Sequence, residues 1–213
     1  MVPAKLGCLQ AAERHGFYMK EKIKHLILFI ILVVIDQGAK LWVRRTLMDK
    51  DPLVFIQDVF SLQYHENTGA VWGIMSGKVQ LLSVFTCIVF LLIVFLYFKI
   101  PQDKKYHPLR LVTVFILAGA VGNLIDRVFL GYVVDFIYFE LINFPLFNIA
   151  DSYLTVSCIV LFLLAVFHYK EDDFAFLDRL FTSKKKASNE GAGSAGADDK
   201  SGITSDAEQI DKE

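Results

Sequence analysis

Four apolar runs, each about the length of a membrane crossing, constrain this chain more than any other feature. They extend from Ile23 to about Val43, from Val79 to Phe98, from Leu109 to about Asp126, and from about Asp151 to Tyr169. A bilayer core of about 30 Å takes roughly 20 helical residues to cross. Backbone amides in hydrocarbon must be satisfied within their own segment, so runs of this length are expected to be helices. Composition agrees once the tail is set aside. Thr182 to Glu213 has no aromatic residue, and Ile203 and Ile210 are its only large aliphatics. Even with this tail included, the 213 residues are 54% hydrophobic and 21% charged, more apolar than a water-soluble domain. The chain therefore reads as a membrane protein. Its net charge of -1 offers no basic field for nucleic acid, which is not an expected partner. Cys8, Cys87 and Cys158 build no disulfide framework. The first run carries Asp36 and Lys40 and has no small-residue cleavage site behind it, so a cleaved secretory signal is not expected.

Basic residues set the expected orientation. Lys5, Arg14, Lys20, Lys22 and Lys24 precede the first run, while Lys99, Lys104, Lys105 and Arg110 lie between the second and third. Lys170, Arg179, Lys184, Lys185 and Lys186 follow the fourth. The opposite side has only Arg44, Arg45, Lys50 and Lys78 in one loop and Arg127 in the other. The positive-inside rule then places both termini in the cytoplasm and the two long loops outside. In those loops, Phe60 to His65 alternates apolar and polar residues, and Tyr132 to Phe139 is rich in β-branched and aromatic ones. Both patterns predict strands of a small extracytoplasmic sheet. The expected fold class is therefore membrane α-helical: four transmembrane helices with a small extracytoplasmic β-structured region and both termini cytoplasmic. The expected organisation is an N-terminal arm (1–21), a four-span domain (22–170), an interfacial helix (171–181) and a disordered acidic tail (182–213). Phe174, Leu177 and Phe181 at helical spacing carry the interfacial-helix expectation.

Ionisable groups inside spans are costly and point to function. Here they crowd the span ends on the outer side. Asp36 and Lys40, four residues apart, can pair on one helix face, either as a structural pair or as part of a site. Gly119, Gly122, Asn123, Asp126 and Arg127 recur at three- and four-residue spacings, a pattern that also fits close helix packing beneath an interfacial arginine. Asp151, following Asn148, could be a mere helix N-cap. Asn67-Thr68-Gly69-Ala70 taken alone is an ordinary turn. Asp135 is the oddity, with apolar neighbours on both sides; such a carboxyl must find a partner or keep its proton.

Together these segments resemble the lipoprotein signal peptidases, also called signal peptidase II, which are bacterial intramembrane aspartic proteases. The resemblance covers about 22–170. It rests on Asp36-Gln37-Gly38-Ala39-Lys40, Asn67-Thr68-Gly69-Ala70-Val71-Trp72-Gly73, Gly119 to Arg127, Val133-Val134-Asp135-Phe136 and Phe147-Asn148-Ile149-Ala150-Asp151-Ser152. Five motifs in register on a four-span chain are very specific. Departures at Ala39, Val71, Trp72 and Ala118 spare the polar residues and bear on packing. Leu6-Gly7-Cys8 echoes the cleavage motif of the family's substrates, but no hydrophobic run precedes it.

The resemblance implies cleavage of prolipoproteins just before a cysteine carrying diacylglycerol, in the bacterial cytoplasmic (inner) membrane, with the site at the extracytoplasmic face. It implies Asp135 and Asp151 as the catalytic pair, no metal or organic cofactor, membrane lipid and globomycin-type inhibitors as ligands, and a monomer. Asp36, Lys40, Asn67, Gly69, Gly119, Asn123, Asp126, Arg127 and Asn148 match its other functional positions and are read as organisers of substrate and dyad. Helix-dipole and burial arguments make Asp151 the base and Asp135 the acid in the resting pair. Asp126, the rival to Asp135, is expected to be held ionised by Arg127 and to fix the turn out of the third helix. The alternative from another class is a small proton- or ion-coupled transporter using the span-end carboxylates; globomycin sensitivity would separate the two.

Overall fold

The computed structural model describes residues 3–69 and 77–177, with the side chains of residues 3–15 and of Phe17 outside that description. Among the described residues, four helices are long and apolar enough to cross a membrane: Tyr18–Leu47, Val79–Lys99, Lys104–Phe129 and Ile149–His168. The first belongs to α1 (Pro3–Leu47). Its helical backbone continues into the segment expected to be a separate arm, starting at a proline whose missing N–H costs nothing at a helix start. α2 is Val79–Lys99. α3 (His107–Phe129) is preceded by a 3-10 turn at Lys104–Tyr106 and carries a proline in its first turn. α4 (Ile149–Leu163) runs into a π-helical turn at Leu164–His168. The first span extends beyond its apolar run at both ends through charged residues, Lys20, Glu21 and Lys22 before it and Arg44 and Arg45 after it, which hydropathy does not count.

The spans pack around α3. Val112, Val114, Leu117, Ala118, Gly119, Gly122, Asn123 and Asp126 on that helix are all buried. α2, by contrast, turns Leu81, Val84, Phe85, Ile88, Leu91, Leu92, Phe95 and Phe98 outward, the arrangement a lipid-facing helix requires. Leu32 of α1, Tyr97 of α2 and Val114 and Ala118 of α3 form one core. Small residues bring α3 against α4. A Cβ at Gly119 would lie 2.6 Å from the Ala150 carbonyl oxygen and 2.8 Å from Leu154 Cγ.

Three antiparallel strands form one sheet in the order β1 (Leu53–Ile56), β2 (Phe60–Asn67), β3 (Val133–Phe139). β2 and β3 fall where alternation and β-branching predicted strands. β1 is a short, exposed, fully apolar run with no alternation to announce it. Register pairs Phe60 with Phe139, His65 with Asp135 and Asn67 with Val133, with an irregularity between Leu62 and His65. The sheet docks on the end of α1 through a second core of Val43, Leu47, Val134 and Phe136.

Beyond the fourth span, Glu171–Phe174 forms a 3-10 turn. The rest of the expected interfacial helix from residue 178, the tail, and the Ala70–Gly73 part of the second motif lie outside the described residues.

Candidate active site

The C-terminal half of α1, the end of α3, the start of α4 and the β2–β3 pair converge at one end of the bundle, and every polar residue singled out above sits there. Lys40 organises the interior of this cluster. Its Nζ lies 2.9 Å from Asp36 Oδ2, 3.0 Å from Asp126 Oδ2 and 3.0 Å from Asn123 Oδ1. Three donors meet three acceptors, and all four residues are buried. Two carboxylates and one ammonium in so dry a place hold together only because every carboxylate oxygen and every ammonium proton has a partner. Asp36 Oδ1 accepts from the Ala150 backbone N–H (2.9 Å), one of the unpaired donors in the first turn of α4. Asp126 Oδ2 accepts from Val134 N–H (3.1 Å) and ties the start of β3 to the end of α3. Gln37 completes the group: its Nε2 donates to Asp126 Oδ1 (3.1 Å), to the Gly122 carbonyl (3.0 Å) and, more weakly, to Asp36 Oδ2 (3.2 Å).

The ion-pair partner of Asp126 is thus Lys40, and Arg127 is placed differently from the expectation. Adjacent residues on a helix point about 100° apart, so Arg127 reaches away from Asp126. Its Nη2 donates to the Gly69 carbonyl (3.3 Å) in the chain leaving β2. Asp135, Asp151 and Asp126 all act on its charge.

Asp135 and Asp151 lie above this base. After β3 the chain folds back, and Phe147 bridges to Ile137, delivering Asn148 alongside Asp135. Asn148 caps α4. Its Oδ1 accepts from Asp151 N–H (2.9 Å), while Asp151 Oδ2 accepts from Asn148 N–H (3.2 Å), a reciprocal capping box. The N-cap is therefore Asn148, with Asp151 three residues on, where its charge also meets the positive end of the helix. The Asn148 amide nitrogen donates to Asp135 Oδ1 (2.7 Å) and to Asn123 Oδ1 (3.1 Å). Asn123 Nδ2 donates to Asp151 Oδ1 (2.7 Å). Asn67 supplies the other donor to Asp135, at 2.8 Å on Oδ2, while its own Oδ1 accepts from Gly69 N–H. Asn67 and Asp135 are diagonal neighbours on one face of the β2–β3 pair.

Burial pushes the Asp135 carboxyl up to about 7, and the negative charge of Asp151 pushes the same way. The donors Asn67 and Asn148, and Lys40 beyond them, oppose that rise. A carboxyl that keeps its proton near neutrality beside a second one held by N–H donors can serve as acid while its partner serves as base.

Each residue picked out from the sequence occupies this cluster. Gly119 and Gly122 contribute by their lack of a side chain: a Cβ at Gly122 would lie 2.5 Å from Asp36 Oδ2. Gln37 was not among the residues picked out, although an amide inside a span was the available signal. The backbone donors of Ala150 and Val134 carry no side-chain signature.

The family model described as signal peptidase (SPase) II matches residues 28–167. A lipoprotein signal peptidase of Enterococcus faecalis is 36% identical over 148 residues, covering 70% of this chain and 91% of the relative. One from Clostridium tetani is 38% identical over 152 residues, covering 70% and 94%. A solved structure described as a bacterial membrane enzyme, obtained by the in meso method at 2.3 Å resolution, is 32% identical with a TM-score of 0.59, covering 70% of this chain and 92% of its own.

Proposed function

The chain belongs to the signal peptidase II family, and from that premise we propose that Asp135 and Asp151 are the aspartic dyad with which it cleaves prolipoproteins just before a diacylglyceryl-modified cysteine. It is an aspartic protease of a multi-pass membrane type that removes lipoprotein signal peptides. The observation that carries the finer reading is the position of Asn148. One side chain donates to Asp135, accepts from the Asp151 backbone, and belongs to the capping box that holds the Asp151 carboxylate.

In the resting enzyme Asp151 is the carboxylate and Asp135 the acid. A water between them attacks the scissile carbonyl carbon. Its proton goes to Asp151 as the C–O bond forms, and the Asp135 proton goes to the carbonyl oxygen. Collapse of the tetrahedral intermediate breaks the C–N bond. The cysteine nitrogen leaves with the proton from Asp151, and Asp135 takes a proton back from the gem-diol hydroxyl whose oxygen becomes the carbonyl of the product acid. The two groups titrate as a unit through this cycle. Lys40 ties Asp36 and Asp126 together beneath the dyad, which fixes the ends of α1 and α3 against each other. Arg127 and Asn67 hold the Gly69 backbone, where an extended substrate would run.

The charge asymmetry of the loops supports cytoplasmic termini and a site at the outer face of the inner membrane. There the signal helix and acyl chains of the substrate stay in lipid while the bond to be cut meets water. The test is a gel-shift cleavage assay with purified protein, using a prolipoprotein with and without diacylglycerol on its cysteine. The wild type and Asp126→Asn, Asp135→Asn and Asp151→Asn are compared, each checked for folding. Cleavage of the lipidated substrate alone, abolished in the Asp135 and Asp151 variants and partly retained in Asp126→Asn, is expected. An active Asp135→Asn beside a dead Asp126→Asn overturns the dyad. Globomycin should block the wild-type reaction.

A further inference from the structure

A second group of chemically able side chains lies at the other end of the bundle. His25 stands fifteen residues before Lys40 on α1, about 22 Å away along the helix axis at 1.5 Å per residue. Glu21 is one turn before it on the same face, and His107 opens α3 opposite them. One ligand atom from each of Glu21, His25 and His107 can be chosen so that all three lie within 4.8 Å of one another. We propose that Glu21, His25 and His107 form a zinc site that clamps α1 to α3 at the end opposite the candidate dyad.

The orientation of His25 carries the proposal. The residue is 5% exposed. Its Nδ1 lies 2.7 Å from the Tyr97 hydroxyl, whereas its Nε2 is buried without a hydrogen-bond partner. With the proton on Nδ1 and donated to Tyr97, Nε2 presents a bare lone pair. This is how ligating histidines are ordinarily held, the second ring nitrogen fixed by an outer partner. Glu21 is arranged in the same way. Lys24 donates to Oε1 at 2.8 Å, and Oε2 lies 3.8 Å from His107 Nδ1. The His25 and His107 rings sit 5.7 Å apart, and His107 is half-exposed, so water has access to complete a fourth position.

Two imidazoles, one carboxylate and a water are a donor set suited to Zn2+, a borderline metal that favours four-coordinate N/O sites. Opposing charge comes from Lys24 on Glu21 and from Arg110, which acts electrostatically on His25. The Arg110 Nη1 group is turned to the Pro101 and Asp103 carbonyls. The site lies far from Asp135 and Asp151, so the metal would take no part in peptide hydrolysis, and the proposal stands apart from the dyad.

The experiment uses the full chain in detergent, freed of any histidine tag, stripped with chelator and desalted. Titration with Co2+ as a spectroscopic stand-in should give one equivalent of uptake with the intense visible bands of four-coordinate cobalt, and Zn2+ should displace it. Zn2+ should also raise the melting temperature of the wild type. His107→Ala, on a half-exposed residue, should abolish the bands and the thermal shift while the protein remains folded. Tyr97→Phe keeps all three ligands and should weaken Co2+ affinity by about 10–100-fold, the range for loss of an outer partner. Uptake or thermal stabilisation equal in the wild type and His107→Ala overturns the site, as does a wild type that gives only the weak bands of six-coordinate cobalt.

Discussion

The Asn148 side-chain amide donates to Asp135 Oδ1 at 2.7 Å, so the residue that caps α4 also holds a carboxyl from β3. Helix start and strand are fixed to each other through one amide. Asn148→Ala removes the cap, worth about 1 kcal/mol, together with a donor to Asp135 and the partner of Asn123. Activity should fall by about 100-fold, the scale of a small misplacement of reacting groups, with only a modest drop in melting temperature. Steady-state cleavage and thermal unfolding measured on one preparation check it. An activity loss no larger than the loss of folded protein would reduce Asn148 to a cap.

The Asp135 carboxyl, raised to about 7 by burial and by Asp151, predicts a pH profile. Asp135 must start protonated, so cleavage should decline as pH rises through about 7; below the lower pKa of the pair the base is lost, giving a bell. Asn67 donates to the charged form of Asp135. Removing it in Asn67→Ala disfavours ionisation, and the alkaline limb should move to higher pH. A limb that stays in place, or moves down, removes Asp135 from the role of acid. The same shift has a stability consequence. Between the unfolded carboxyl value of about 3.9 and about 7, the native state binds the extra proton, so stability contributed at this residue falls as pH rises across that window.

Lys40 is the only cation bonded to Asp36 and Asp126 among the described residues. Lys40→Met leaves two carboxylates buried without it, a change that costs about 3–5 kcal/mol when one partner of a buried pair is removed. For a chain of this size that is a fall of about 10 °C in melting temperature. Replacing all three together, with Asp36→Asn and Asp126→Asn added, should recover much of that loss, because the uncompensated charge is gone. Differential scanning in detergent reads both. A triple variant as unstable as Lys40→Met would mean that hydrogen bonding, not charge, holds the group.

How far this site could be read from sequence depends on what each residue does. The spans were legible because hydrocarbon demands long apolar helices, and β2 and β3 because alternation follows the pleat. Asp36 and Lys40 were legible as a pair because four residues on a helix make one turn. The partners of Asp126 and Arg127 were not, since adjacency in sequence suggested a contact that the 100° step between neighbouring helical residues prevents. β1 escaped because a four-residue apolar run has no period. Gln37 carries no charge, so the cost of ionisable groups in a span does not mark it. The link that Asn148 makes between α4 and Asp135 depends on Phe147 folding back on β3, a tertiary event with no local sequence signal.

The close approach of α3 to α4 gives a prediction that separates packing from chemistry. At Gly122 a methyl group would meet Asp36 Oδ2 at 2.5 Å and Ala150 Cβ at 3.2 Å. Neither can retreat freely, since Asp36 holds Lys40 and Ala150 N–H. Gly122→Ala should therefore cost about 1–3 kcal/mol through overpacking, and pushing α4 outward should displace Asp151 enough to lower cleavage by about 100-fold. At Gly38, also helical, a Cβ meets nothing within 4 Å. Gly38→Ala should raise stability by about 0.5–1 kcal/mol, the helix preference for alanine over glycine. Thermal unfolding of the two variants side by side makes the comparison, with cleavage read for Gly122→Ala. A Gly122→Ala variant as stable as Gly38→Ala would mean that α3 does not lie as close to Asp36 and Ala150 as the missing side chain at Gly122 allows.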